Sequence, residues 1–529
     1  HKTDKYILAE HASYINEYHP LIDSVPWKVY PNEPDPNDPK QIELYKQDRS
    51  NQFGKWKLEQ VLIDFRPHVV VSIRDPFFDD FIFHSPLRKY FKYIHMTTCD
   101  GQPQKQEWID MFKGADRLLT YSLWAKNLLD QESGGQLRVH GVTSPCPDLE
   151  IFKPRSKKEA KIEYGLEEDC IIFGTVMRNQ PRKLFPDLMK SFVRYLELCK
   201  ETGKEELAKK SYLYFHTSVN DVGWAMNEEL RRYKLSHKVL FTYMCDHCKS
   251  VYPSFYQGDG VGCRRCGRFT ARTPNTAGGV SREILAKIFQ CFDLYIQYSV
   301  CEGFNLNGND AKACGIPVFQ VDYSAMQEQV HNLGGIPLKV IRMFQEPINQ
   351  TGQLRAYPDN EFCAQSLFQF MNETQEYRNR IGQEARQCVE KYYRWEDVAK
   401  IWEGVIDGLE CPDELETWLS PPKIIRPNLQ VPNIVSNEEF VSWCVLNILQ
   451  KPDTLYGPQT AAYIEHLNQG FRIEINQWGQ PYRVPVNRND VINSMINYVN
   501  NNNGLEMYRY QTCVGNIKEN KPEIRHIEI

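Results

Sequence analysis

The feature that most constrains this chain is a regular alternation of short apolar runs with longer amphipathic stretches. His68-Val69-Val70-Val71-Ser72-Ile73, Lys92-Tyr93-Ile94-His95 and Arg117-Leu118-Leu119-Thr120 are each about one strand long, and helical patterns cover 105–112 and 122–129. Continuous apolar runs suit strands buried on both faces, and strands alternating with helices build βαβ units on a parallel sheet. Lys153-Pro154 and the charged stretch Arg155 to Lys161 mark a linker, after which the rhythm restarts at Cys170-Ile171-Ile172-Phe173-Gly174-Thr175-Val176. It continues through helices over 185–200, 224–233 and 281–291 and strands over 212–215, 238–241 and 293–296, interrupted over 243–276. The pattern predicts an α/β protein with a first domain over 1–154, a second over 155–410, an insertion over 243–276 and an extension over 411–529. In the extension, Ser436-Asn437-Glu438-Glu439 is a capping box that opens a helix running to Leu449, so this part is expected to be mostly helical. Two further expectations concern the front of the chain: a strand over Lys5 to Ala9 and a single helix over 43–65.

With 529 residues, 41% of them hydrophobic, the chain has material for large cores and is not a disordered polypeptide. Its 63 basic and 68 acidic residues leave a formal charge of −5, which disfavours a protein that works by coating nucleic acid. No apolar run approaches the roughly 18 residues of a membrane span, and no basic, apolar leader opens the chain, so the expected location is the cytoplasm.

Twelve of the 16 cysteines are scattered singly, many in apolar runs, as reduced thiols are in intracellular proteins. The other four form two pairs, Cys245-Asp-His-Cys248 and Cys263-Arg-Arg-Cys266, separated by 14 residues. Two such knuckles can place four thiolates on one tetrahedral ion, so the pairs predict a structural zinc ribbon with no open coordination position. A redox pair is the competing reading, and His247 could replace one cysteine. The ribbon also carries Lys249, Arg264, Arg265, Arg268 and Arg272, either a solvated face or a surface for phosphate.

Two segments of the second domain carry the chemistry. In Phe173 to Lys183 a strand runs into a polar turn rich in cations. In Cys301 to Phe319 a strand ends near Glu302, a loop follows, and a short helix from about Gly308 closes at Gly315 and Pro317, with Asp310 in its first turn. A helix N-terminus suits a diphosphate, and ligands of open α/β sheets sit beyond the carboxyl ends of the strands.

Together these residues resemble retaining GT-B glycosyltransferases of the group 1, or family 4, class. The Glu302-Gly303-Phe304 loop, the acid eight positions on and Ala313-Cys314-Gly315-Ile316-Pro317-Val318 match its acid-x₇-acid signature. Arg178 and Lys183 match its diphosphate-binding pair, and the segments Ala115 to Ser122, Pro147 to Pro154 and Tyr393 to Glu396 agree. The resemblance covers about Lys5 to Leu409 and implies two Rossmann-like domains in the GT-B arrangement, a nucleotide-sugar donor, and transfer to an acceptor hydroxyl without a catalytic metal. It further implies that Arg178 and Lys183 neutralise the departing diphosphate, that Glu302 contacts the donor sugar, that the backbone of Gly303, Phe304 and Asn305 holds phosphate, and that Asp310 takes the ribose. His95, at a strand end facing the cleft, fits the family's sugar-binding histidine, with Asp100 as its rival. The chain departs from the family in having Asp310 for Glu, Asn305 for Gly and Asn307 for Pro. The opening strand and Gly-rich loop are not found, so the sequence is expected to start inside its first domain. Zinc is the expected structural metal. The acceptor stays open among glycan, lipid-linked glycan, protein and modified nucleic acid, as do the donor and the oligomeric state. A GT-B epimerase or phosphorylase, and a non-catalytic GT-B protein whose ribbon docks a nucleic-acid or protein partner, are the alternative functions.

Overall fold

A computed structural model describes residues 6–276, 278–411, 418, 423–425, 434–449, 457–475, 481–502 and 506–508. The chain divides into two compact units, one drawn from 1–70, 77–93 and 410–529, the other from 71–76 and 94–409.

In the first unit, β1 (Ala9–Ala12) and β2 (Lys28–Pro31) pair in parallel over a small core of Ala12, Ile15 and Val29. The strand expected over 5–9 therefore starts at Ala9; Lys5 lies outside the described residues. The single helix expected over 43–65 is three pieces, Pro39–Lys46, a 3₁₀ turn Arg49–Phe53 and Leu58–Phe65. Local chemistry breaks it: Asp48 caps the middle piece by accepting from Ser50 N at 2.8 Å, and Gly54 follows at φ 112°. Trp418 is buried against Tyr90 and donates its indole N–H to the Pro67 carbonyl at 3.2 Å. Ser436 accepts from Glu439 N as the capping box requires, and the helix Asn437–Cys444 runs on as a π turn, Val445–Leu449. With Pro458–Gln469 and Arg488–Asn502 these make a helical region, beside the hairpin β18 (Phe471–Ile475) and β19 (Pro481–Pro485); β17 (Lys423–Ile425) pairs with β20 (Glu506–Tyr508).

The alternation read from the sequence produces two sheets. The first has the order β3 (Val69–Ile73), β4 (Lys92–Thr97), β5 (Arg117–Thr120), β6 (Val139–Val142), and β4 to β6 run parallel. Helices Gln106–Lys113 and Leu123–Glu132 cover it through Trp108, Ile109, Phe112, Leu128 and Leu129. The second contains β7 (Ile171–Val176), β8 (Ser211–His216), β9 (Val239–Cys245), β10 (Val251–Phe255), β11 (Ala271–Arg272), β12 (Leu294–Gln297), β13 (Val318–Val321) and β14 (Ile336–Leu338). Its path is β10-β9-β8-β7-β12-β13-β14, with β11 also on β9; the six strands from β9 to β14 along this path are parallel, and β10 and β11 are antiparallel additions. Because alternate residues face opposite sides, Phe173, Leu294 and Ile296 enter one core while Ile172 and Tyr295 enter the other. A hairpin of β15 (Val340–Gln345) and β16 (Leu354–Pro358) follows β14. The 15 described cysteines are free thiols; Cys513 lies outside the described residues. No helix among the described residues is long and apolar enough to cross a membrane.

The strand order places β7 beside β12, although β8 follows β7 in the chain and β13 follows β12. Chain connections leave this pair in opposite directions, so a crevice opens beyond its carboxyl ends. Gly174 lets the pair close: a Cβ there would stand 2.1 to 2.3 Å from three ring atoms of Phe292. Gly174→Ala is expected to cost about 1–3 kcal/mol through overpacking, read as a lower urea midpoint with an unchanged m-value.

Candidate active site

Beyond β7 the turn is pinned before any functional group is placed. Buried Asn179 donates to the Val219 and Trp224 carbonyls at 2.9 and 2.8 Å and accepts from Trp224 N at 2.8 Å. The Trp224 indole donates to the Lys183 carbonyl at 2.7 Å. The segment beyond β12 is tied to the same turn: Leu184 N donates to Tyr298 O and Val300 N to Arg182 O, both at 3.0 Å.

Glu302 lies where these two segments meet and is 6% exposed. Its Oε1 accepts from the Lys183 ammonium and, at 2.6 Å, from Gln297 Nε2; its Oε2 accepts from Arg182 Nη1 at 3.0 Å. Burial would raise this carboxyl, but Arg182 and Lys183 overcome it and hold the group down to about 2. Arg178, half exposed, is aimed by a bidentate contact from Nε and Nη2 to Asp221 at 2.7 and 2.9 Å.

The helix after Glu302 spans Leu306–Ala313 and begins earlier than the sequence suggests, because Asn305 adopts φ 74° and accepts from Gly308 N at 3.1 Å as its cap. Asn is among the few residues that tolerate this conformation, so it replaces a glycine at small cost. Asp310 consequently sits in the second helical turn, not the first. It is 5% exposed, and burial pushes its carboxyl up to about 7, with Arg282 pulling the other way. Asn307, on the same helix, donates to Val176 O at 2.8 Å.

A cavity of about 310 Å³ is lined by Arg178, Arg182, Lys183, Gln297, Glu302 and Asn305, among others. Three cations against Glu302 and the Asp221 that pairs with Arg178 leave it net positive, suited to a phosphate group. A second cavity of about 300 Å³ adjoins it, sharing Val176, Met177, Arg178 and Asn307. Of the residues singled out in the sequence, Arg178, Lys183, Glu302 and Asn305 line the first cavity; Gly303, Phe304, Asp310, His95 and Asp100 line neither. The Phe304 ring is a packing group between Tyr121 and Tyr393. His95 lies within β4, short of the strand end, fully buried and stacked on Phe112. Asp100 borders the Glu302 loop: it accepts from Arg355 Nη1 at 2.9 Å and from the Cys301 thiol at 3.3 Å, while Gly303 abuts Thr98. Arg182, Gln297, Asp221 and Arg355 were not expected as site residues; only the cation run through Arg182-Lys183 hinted at the first of them.

The four paired cysteines converge. Their Sγ atoms all lie within 4.8 Å of one another, with Cys245–Cys266 and Cys248–Cys263 both at 3.7 Å. Thiolates bound tetrahedrally at about 2.3 Å would stand about 3.8 Å apart, so the set fits a zinc ion. Both knuckles have the same backbone: Lys249 N returns to Cys245 O at 2.9 Å and Gly267 N to Cys263 O at 2.8 Å, with Lys249 and Gly267 at φ 58° and 72°. His247 is not part of the cluster.

No protein-family model and no curated protein matches the sequence. Among solved structures, the chain is similar to a sucrose-phosphate synthase from Thermosynechococcus elongatus, with 14% identity, TM-score 0.51, and coverage of 73% of this chain and 90% of that one. It is also similar to HepE of Anabaena in complex with UDP and glucose, with 12% identity, TM-score 0.50, and coverage of 74% and 88%. At these identities the likeness speaks to the fold alone, and it bears out the GT-B arrangement of α/β halves expected from the sequence.

Removing the Glu302 charge leaves two cations facing each other in a buried site, so Glu302→Gln is expected to destabilise by about 3 kcal/mol near neutral pH. The folded carboxyl lies below the usual 4.5, so its contribution is present above about pH 4.5 and lost as pH falls toward about 2. Urea denaturation should show the gap between the two proteins narrowing on acidification.

Proposed function

We propose that this chain is a glycosyltransferase that moves a sugar from a nucleoside diphosphate donor to an acceptor hydroxyl with retention of anomeric configuration. The observation that carries the reading is the electropositive cavity at the carboxyl ends of β7 and β12, with Arg178, Arg182 and Lys183 around buried Glu302. The neighbour HepE, in complex with UDP and glucose, supports a nucleotide-sugar donor. The acid-x₇-acid pattern supports the retaining class.

In this reading the donor diphosphate lies in the first cavity. As the bond from the anomeric carbon to phosphate oxygen breaks, negative charge grows on the leaving phosphate, and the guanidinium and ammonium groups stabilise it there. The acceptor oxygen bonds to that carbon on the same face, and its proton passes to the leaving phosphate. Lys183 and Arg182 are held in register by Glu302, so little reorganisation accompanies the charge shift. Asp310 stands three residues beyond Asn307 on the same helical face and, although it lines neither cavity, takes ribose hydroxyls in this reading. The four cysteines bind zinc, and with all four positions filled by thiolates the ion holds the fold and has no place for substrate.

Lys183→Ala and Arg178→Ala are each expected to lower kcat/KM by about 10²–10³-fold, scored as nucleoside diphosphate release; a fully active variant of either would overturn the assignment, and an inverted product anomer by NMR would overturn retention. Asp310 ionises as pH passes its raised value of about 7 and then accepts hydroxyl protons more strongly, so nucleoside diphosphate binding should tighten from pH 6 to 8. Calorimetry should show that slope flattened in Asp310→Asn. Elemental analysis is expected to find one zinc per chain, lost in Cys245→Ser/Cys266→Ser.

A further inference from the structure

The insertion does not stand apart from the donor site. It leaves β9 at Cys245 and returns through β11, whose Ala271 and Arg272 pair with Cys245 and Met244 themselves. From there the chain runs directly into Pro274, Asn275 and Thr276, which line the second cavity together with His216, Thr217 and Ser218. The return segment is held from the insertion side. Asp259 accepts from Thr273 N at 2.8 Å and Thr273 Oγ1 at 3.1 Å, and Arg272 Nε binds Asp246, between the first two cysteines, at 2.8 Å. The other oxygen of Asp259 accepts from Asn220 Nδ2 at 2.7 Å, and the next residue, Asp221, is the one that aims Arg178.

The second cavity differs in chemistry from the first. Among the described residues that line it, Arg178 is the one cation, shared with the first cavity; burial pulls the His216 imidazole down to about 4, so it is neutral near pH 7. The Thr217 and Ser218 hydroxyls are buried and have no hydrogen-bond partner. Buried hydroxyls without partners carry a desolvation cost that a polar ligand removes. A hydrogen-bonding cavity with a cation only on the side it shares with the first cavity suits the nucleoside end of a molecule whose diphosphate occupies the other.

We infer that the cysteine ribbon supplies the nucleoside wall of the donor site. Asn275 and Thr276, with the Thr217 and Ser218 hydroxyls, hydrogen-bond the base and ribose, and the zinc-bound knuckles set where that wall stands. The inference rests on the donor reading above and adds to it that base recognition is built from the insertion.

The test is calorimetric titration of the full chain with UDP, GDP, ADP and dTDP, and separately with inorganic pyrophosphate. It compares the zinc-loaded protein, the chelator-stripped protein and a zinc-loaded Asn275→Ala/Thr276→Ala variant. The loaded protein is expected to bind one nucleoside diphosphate at least about tenfold more tightly than pyrophosphate. Stripping zinc, or the double substitution, should remove that advantage and leave pyrophosphate binding unchanged. Nucleotide affinity unaffected by both changes would overturn the inference while leaving the donor reading intact. So would loss of pyrophosphate together with nucleotide on stripping, if the double variant keeps its full nucleotide affinity, since zinc would then hold the whole domain and not the wall. Failure of the loaded protein to bind any of the five ligands would overturn the donor reading itself.

Discussion

The site is organised around one buried carboxylate. Glu302 is removed from water and retains its charge because Arg182, Lys183 and Gln297 surround it. A buried carboxylate without such partners would cost several kcal/mol. That cost links two segments far apart in the chain, since the turn after β7 and the loop after β12 must both be in place before the charge is tolerable. The same arrangement holds the cations of Arg182 and Lys183 together at the mouth of the crevice, where mutual repulsion would otherwise part them. In the proposed donor reading, stability and ligand binding would draw on the same atoms.

Around that centre, neighbouring segments each supply a fixed orientation. Asn179 anchors the cation-bearing turn, Asp221 aims Arg178, and Asn305 turns the backbone so that the next helix starts at Leu306. From the first sheet, the loop carrying Asp100 reaches the Glu302 loop and is fastened by Arg355 of the hairpin after β14; Arg355 also binds Glu346 at 3.1 Å. On the other side, the ribbon returns its chain along β9 into the second cavity. Its four cysteine sulfurs lie within 4.8 Å of one another, and the two knuckles repeat one backbone conformation. Lys249 takes the left-handed conformation where the partner knuckle has Gly267.

Much of this was legible in the residues alone. The strand-helix alternation and the spacing of the four cysteines are written within about 20 residues of chain, where sequence neighbours are spatial neighbours. The errors fall where a local signal competes with the pattern: Asp48 and Gly54 split the expected helix over 43–65, and the Asn305 cap moved a helix start and with it Asp310. His95 was placed by its strand, but which face of β4 meets the helix layer is decided by packing, and Phe112 occupies that face.

The sequence by itself determined the kinds of element, their order along the chain, the two cysteine pairs and the cation-rich turn after β7, because propensity, capping and short-range spacing act locally. Only the tertiary structure decided that β7 lies beside β12, that Lys183 meets Glu302 across 119 residues and that the ribbon's return segment lines a cavity shared with Arg178. Those pairings follow from strand order and from the burial of one charge among several candidate partners. Both are settled by which distant surfaces pack together, and local sequence carries no record of that choice.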